Sequence, residues 1–424
     1  MLKNVILRQK REKESFVISK YVERNQSSYA RRWIDSQLIK VVIGPRRAGK
    51  SVFSFMLLDG RQFMYLNLDD EFLGANAGTI TTDEIIKELH SAYGNVKTVL
   101  FDEIQNLPNW ELFVNRLHRE GYNLILTGSN ARLLSKELST ALTGRHIPIE
   151  IYPFDFKEFL DARRFKFDLQ YIEVSSVRGE LLRLMEEFML SGGFPEVVVN
   201  NLDSRDYLRV LYDSLLFKDV VKRHKVKQSS QIENVGTYLI NNFASFYSLR
   251  KLQNALDLKS VTTVEKYTKY LEEAYLVFSL LRYSPKSVKR IKSPKKVYVI
   301  DNGFISAKAI QHSPDRGRMM ENLLFVELIK HGFQPNSEIF YYKTRNDREI
   351  DFVLKKGTEI VELIQVCYES SSSEVEKREV KALTEAGEEL KTDNLTLLTW
   401  DEKRVIKQNG FTINIIPLIE WLMK

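Results

Sequence analysis

The sequence predicts an α/β protein whose N-terminal third is a doubly wound parallel sheet. Three observations lead there. The apolar, β-branched run Leu38-Ile39-Lys40-Val41-Val42-Ile43 passes straight into Gly44-Pro45-Arg46-Arg47-Ala48-Gly49-Lys50-Ser51, which is the spacing G-x-x-x-x-G-K-S. A second apolar run, Val99-Leu100-Phe101, ends in the paired acids Asp102 and Glu103. Further strand-like runs near 63–68, 122–127 and 147–151 alternate with helical segments, the grammar of parallel βαβ units. In such a sheet a ligand sits beyond the carboxyl ends of the strands, where all these motifs fall.

Size and composition set the outer limits. A chain of 424 residues is too long for one ordinary core, so two or three domains are expected. Hydrophobic residues make up 43% and charged residues 28%, as in a globular protein. No apolar run approaches the roughly 18 to 20 residues of a membrane span, and Met1 to Leu7 lacks a signal-peptide core. The expected location is cytoplasmic, with no membrane partner. Cys367 is the only cysteine, which rules out an intrachain disulfide and a thiolate metal cluster. The net charge of +7 is modest, but it is clustered, and clustered basic charge points to polyanionic partners.

Residues 1–36 carry mixed charge with helical patterning and read as an N-terminal helical arm. The nucleotide-binding core is expected over 37–165. Its glycines let backbone N–H groups turn inward around phosphates, Lys50 reaches the β- and γ-phosphate oxygens, and Ser51 ligates Mg²⁺. The cradle is assigned to Gly44, Pro45, Arg46, Arg47, Ala48, Gly49, Lys50, Ser51 and Val52, with ATP or ADP as the ligand. The run from Val52 to Leu58 continues as a helix whose N-terminus favours anions. Asp102, at the tip of the Walker B strand, is placed to hold the Mg²⁺ water shell, and Glu103 to polarise the attacking water. The run Tyr122–Thr127 is expected between the P-loop and Walker B strands, as in additional-strand ATPases. Ser129 or Asn130 at its polar tip would contact the γ-phosphate or the lytic water, although either also suits a helix N-cap.

At this point the residues resemble a known group. The stretches at 44–51, 100–110, 126–134, 142–145 and 151–160 are similar to a prokaryotic AAA-type ATPase family. Its members join an AAA module to a C-terminal region called DUF4143. Gly192-Gly193-Phe194-Pro195-Glu196 and Leu216-Phe217-Lys218-Asp219-Val220 fit that region as well. The resemblance implies an AAA-type core and gives Arg145, in its L-x-G-R position, a role in trans on a neighbouring subunit's nucleotide, hence a homo-oligomer.

Three regions follow. Residues 166–228 read as a helical lid ending in the basic cluster Lys218 to Lys227. Residues 229–300 have winged-helix grammar, with a basic hairpin that holds Arg282, Lys286, Lys289, Arg290, Lys292, Lys295 and Lys296 and no acid between them. Thr262, Thr263, Lys266 and Lys269 are expected on the groove-facing side of its second long helix. Residues 301–424 resemble the PD-(D/E)xK nuclease core, with a helix carrying Glu321, a strand carrying Asp351 and a third strand carrying Gln365 as a possible second metal site. Cys367 stands where that pattern has its lysine, and only Lys343 or Lys355 could substitute from a distance. The segment therefore predicts a nuclease-like α/β fold that holds DNA or protein rather than cutting it.

The combined reading is a Mg²⁺-dependent ATPase that acts on or is recruited to DNA. The alternatives are a nucleotide-switched protein-interaction module and an ATP-dependent nuclease.

Overall fold

The chain begins with helix α1 (Leu2–Glu14), which buries Val5, Ile6 and Gln9 on one face. In the computed structural model, which describes residues 1–16, 21–129, 142, 144–172, 174–310, 315–368 and 373–423, that face covers a sheet edge. Gln9 exchanges two hydrogen bonds with the backbone of Asn67, so its amide mimics a further strand on an otherwise open edge. Two compact units result, one of residues 1–154 with 273–275 and one of 155–272 with 276–424.

The first unit continues with α2 (Ser27–Arg31), β1 (Ile39–Ile43), α3 (Lys50–Leu57), β2 (Met64–Asn67), α4 (Glu71–Ala75), α5 (Thr82–Tyr93), β3 (Thr98–Asp102), α6 (Trp110–Arg119), β4 (Asn123–Gly128) and β5 (His146–Glu150). The five strands are all parallel in the order β2-β3-β4-β1-β5. Strand β4 lies between β1 and β3, the additional-strand arrangement expected from the sequence.

Both faces of this sheet are covered, which explains why β1 is buried along its whole length. Alternation sends Ile39, Val41 and Ile43 to the face packed by α1, α5 and α6, and Val42 to the face packed by α2 and α3. Lys40 interrupts the apolar run yet is fully buried, its ammonium donating to the Ser36 carbonyl and to Asn123 Oδ1. Burial pushes its pKa down to about 8.

The second unit begins with α7 (Phe156–Ala162), α8 (Ser175–Ser191), α9 (Pro195–Asn200) and α10 (Ser204–Leu215), the last running into a π-helical segment, Leu216–Lys222. Helix α7 starts with a reciprocal capping box between Asp155 and Glu158. Next come α11 (Ser229–Asn241), β6 (Ser245–Tyr247), α12 (Leu249–Ala255), α13 (Val261–Glu273), β7 (Val277–Leu280), α14 (Ser287–Lys292) and β8 (Lys295–Val299). Strands β6, β8 and β7 form a three-stranded antiparallel sheet with β8 in the middle.

The chain ends with α15 (Asn302–Lys308), α16 (Arg316–Lys330), β9 (Ile339–Lys343), β10 (Glu349–Lys356), β11 (Glu359–Cys367), α17 (Ser373–Leu390), β12 (Leu395–Thr399), β13 (Arg404–Gln408), β14 (Phe411–Pro417) and α18 (Leu418–Leu422). Its six-stranded mixed sheet has the order β13-β14-β12-β11-β10-β9. Strands β9, β10 and β11 pair antiparallel, and β12 joins β11 in parallel.

The Gly192-Gly193 pair has a structural reason within this unit. Gly192 closes α8 with a φ of +77°, and a Cβ there would stand 1.7 Å from Asp301 Oδ1. The backbone N–H of Gly193 donates to the other oxygen of that buried carboxylate at 2.8 Å. Only glycine permits this approach.

Candidate functional site

The parallel register brings the ends of β1, β3 and β4 to one edge of the first sheet. Ile43 aligns with Gly128, and Phe101 with Leu126, so the residues that follow converge. Gly44 leaves β1 with a φ of +147°, and a Cβ on it would lie 1.9 Å from the Ile151 carbonyl oxygen. Arg47 and Gly49 both adopt left-handed backbone, which curls the loop around its own N–H groups before α3 begins at Lys50. At Gly44 the loop has no room for a side chain.

Lys50 is buried at the centre. Its ammonium donates to the Pro45 carbonyl at 3.0 Å and lies 3.9 Å from Glu103 Oε1. Asp102 closes β3 and is buried, accepting from the Thr127 hydroxyl and, at 3.3 Å, from the Tyr65 hydroxyl. Burial raises its pKa above the usual carboxylate range, although the Thr127 and Ser51 hydroxyls oppose the shift. A cation beside Ser51 and Asp102 would relieve that burial, so the donor set fits Mg²⁺.

Glu103 adopts left-handed backbone with a φ of +52°, and its N–H donates to Thr127 Oγ1 at 2.9 Å. Burial pushes its carboxyl upward, but Lys50, Arg46, Gln105 and Ser129 together hold it below the usual range. That favours the carboxylate form. Arg46 also reaches Asp69 Oδ2 at 3.2 Å.

Of the residues assigned from sequence, Gly44 to Val52, Asp102, Glu103 and Ser129 come together. The Ser129 hydroxyl is buried beside Glu103. Asn130 lies outside the described residues. Arg145 is exposed at the opposite end of the sheet, where its carbonyl accepts from Ile39 N at 2.8 Å. The length of β1, about 16 Å at the usual rise per residue, separates it from its own P-loop.

The second carboxylate cluster differs from expectation. Glu321 on α16 and Asp351 on β10 do converge, but Glu349 on β10 is the third member, and the cation among them is Lys296. Its ammonium lies 2.6 Å from Glu321 Oε1, 2.5 Å from Glu349 Oε1 and 2.9 Å from Asp351 Oδ1. Gln365 does not join, because its amide accepts from Asp351 N and donates to Glu379 Oε2. Lys343 pairs with Asp347, and Lys355 with the Gly357 carbonyl. Among the described residues no group of three or more His, Cys, Asp or Glu side chains is disposed to hold a metal ion. A nuclease-type metal does not fit here, because an ammonium holds the centre.

Residues 36–160 match the AAA domain family, residues 182–314 a domain of unknown function (DUF8612), and residues 316–421 a second one (DUF4143). An uncharacterized protein of Methanocaldococcus jannaschii is 36% identical over 400 residues, covering 90% of this chain and 88% of its own. The chain belongs to the AAA-type family that joins an AAA domain to a DUF4143 region.

An uncharacterized Haemophilus influenzae protein is 28% identical over 412 residues, 92% of this chain and 95% of that one. Among solved structures, the Walker-type ATPase of Pyrococcus abyssi is 15% identical with a TM-score of 0.45, covering 68% of this chain and 95% of that chain. AMPPCP-bound DnaA from Aquifex aeolicus is 18% identical with a TM-score of 0.27, covering 62% and 90%.

Three residues of this family member escape motif reading. Arg24, in the N-terminal arm, is buried and donates to the Ala48 carbonyl at 2.9 Å and to the Tyr152 carbonyl, bracing the P-loop against the segment after β5. Thr127 ties Asp102 and Glu103 together with one hydroxyl. Lys296 was assigned to the basic hairpin and is instead buried, because its place on the central strand β8 points it inward. Only Thr127 carried a signal, as the last polar residue of a strand that ends beside the P-loop.

Among the described residues no helix is long and apolar enough to cross a membrane.

Proposed function

We propose that this AAA-type protein binds and hydrolyses ATP with Mg²⁺ and that it is recruited to DNA. The convergence of Lys50, Ser51, Asp102 and Glu103 at one sheet edge carries the ATPase reading. Lys50 and the loop N–H groups would hold the β- and γ-phosphates, and Ser51 with Asp102 the metal. Bound Mg²⁺ would neutralise the phosphates and so favour attack on the terminal phosphoryl group. Glu103, kept ionised by Lys50 and Arg46, orients the lytic water and takes its proton. Ser129 or Asn130 helps to position that water.

Arg145 acts in trans, since it is exposed and a strand's length from its own P-loop. Arg145→Ala and Lys50→Ala, each inactive alone, should regain hydrolysis when mixed, because one hybrid site has both groups. No regain at any mixing ratio rules out the trans role.

The DNA reading rests on the segment between β7 and β8. Helix–strand–helix–helix–strand–helix–strand order, with the last strand central, supports a winged helix whose wing is this segment and carries the short helix α14 in place of a plain hairpin turn. Lys286, Lys289 and Lys292 are exposed on it and Arg290 is half-buried. Lys266 and Lys269 are exposed on α13, while Thr263 is engaged with Ser260 at the helix start. Phosphate contacts by four wing cations predict a log–log salt slope of about −3 to −4. Replacing all four by glutamate should abolish duplex binding, and no binding by the parent protein at low salt sinks the reading. A protein partner is the second reading, favoured by Val288 and Ile291, which are 61% and 71% exposed on the same short helix.

A further inference from the structure

Lys296, Glu321, Glu349 and Asp351 form a cluster that the ATPase reading does not use. Three carboxylate oxygens lie within 2.9 Å of one nitrogen, and Lys296, Glu321 and Asp351 are all buried. Three converging acids in a protein interior repel one another unless a cation or a retained proton lies among them. A divalent metal bound to carboxylate oxygens is one cation that can neutralise such a group. Here the Lys296 ammonium stands among them, 2.5–2.9 Å from one oxygen of each acid.

We propose that Lys296 is a built-in cation that occupies a divalent-metal position, so that this end of the protein is closed to metal-dependent phosphodiester cleavage and serves as a rigid scaffold. The lysine comes from β8, the middle strand of the three-stranded sheet. The acids come from α16 and from β10 of the six-stranded sheet. One ammonium thus fastens two sheets and a helix together. It cannot swing away as a lysine on a loop could, because β8 is paired on both sides, with Phe246 and Leu280 as the register partners of Lys296. Each acid is also tied elsewhere. Tyr298 donates to Glu321 Oε1 at 2.5 Å, and Val366 N donates to Asp351 Oδ2 at 3.0 Å. Glu349 alone reaches solvent, with 31% of its side chain exposed.

The inference does not depend on the ATPase reading, and the test is run without nucleotide. Mn²⁺ uptake by the full chain is followed by electron paramagnetic resonance for the natural protein, Glu349→Gln, Lys296→Met and the double variant. The natural protein and Glu349→Gln should take up Mn²⁺ identically, and neither should cleave plasmid DNA with Mg²⁺ or Mn²⁺. Lys296→Met should gain a further Mn²⁺ site that Glu349→Gln removes again. Uptake or cleavage by the natural protein that Glu349→Gln reduces would overturn the proposal. So would a folded Lys296→Met protein with no added site. Should Lys296→Met fail to fold, the comparison of the natural protein with Glu349→Gln still decides whether a metal enters.

Discussion

The two carboxylate clusters use the same residue types to opposite ends. At the P-loop, Lys50 stands 3.9 Å from Glu103 and donates to a neutral carbonyl, on a cradle of backbone N–H groups. In the second unit, Lys296 is held by three acids at 2.5–2.9 Å. The difference comes from the supporting backbone. Lys50 begins a helix after a left-handed glycine, so its side chain follows the loop toward whatever the loop holds. Lys296 projects from a strand paired on both sides and has one destination. An acid–lysine constellation is therefore a site or a clasp according to whether its cation has somewhere else to go.

The largest effect should come from removing Lys50. Lys50→Ala should abolish nucleotide binding, measured with a fluorescent ATP analogue. Glu103→Gln should keep binding while phosphate release falls by about 10²–10⁴-fold, the usual contribution of a general base. Unchanged release in Glu103→Gln would refute its role and blur the contrast between the clusters.

The clasp should respond in the other currency. Lys296→Met leaves buried acids without their counter-ion and should cost about 3–5 kcal/mol in denaturant unfolding of the second unit. ATP hydrolysis by the folded protein should be retained. A variant as stable as the parent would show that the ammonium is dispensable.

Arg24→Ala tests how far the cradle depends on its brace. Loss of charged hydrogen bonds to the Ala48 and Tyr152 carbonyls is worth about 1.5–3 kcal/mol, and about tenfold weaker nucleotide binding is expected for each 1.4 kcal/mol that reaches the loop. Lysine at this position should restore only part of it, since an ammonium lacks the fork that spans two carbonyls. Full activity in Arg24→Ala would remove the brace from the account.

The last contrast is a pH dependence. Burial first, then Asp351 and Glu349, raise the Glu321 carboxyl to about 8 against the opposing pull of Lys296, from an ordinary value of 4.5. The folded protein then binds more protons than the unfolded chain between those values. The contribution of Glu321 to stability is complete below pH 4.5, declines as the pH rises and is lost above about 8. Glu321→Gln should flatten that part of the stability–pH curve, with Tyr298, Lys296, Asp351 and Glu349 still facing the position. An unchanged slope would show that Glu321 is ionised throughout.

Local chemistry made the first unit readable. The strands announced themselves as continuous apolar runs because both faces of a parallel sheet are buried. The P-loop did so because only glycine tolerates the backbone at Gly44 and Gly49, and Asp102 and Glu103 because they end such a run. Arg24 was not readable, since one arginine in a mixed-charge arm gives no sign that the chain will fold it beneath Ala48. Gln9 was hidden in the same way, its edge-capping role depending on where α1 packs. In the second unit, Glu321 and Asp351 were found together with their elements, but the choice between Glu349 and Gln365 as the third member depended on contacts across strands.

By itself, then, the sequence determined the parallel sheet, the phosphate cradle and the pairing of Asp102 with Glu103, because each rests on residues adjacent in the chain. Tertiary structure alone decided the fate of Lys296. Within a basic run from Arg282 to Lys296 every cation looks alike. The pairing of β8 between β6 and β7 turns that one inward, where burial makes three distant carboxylates its partners.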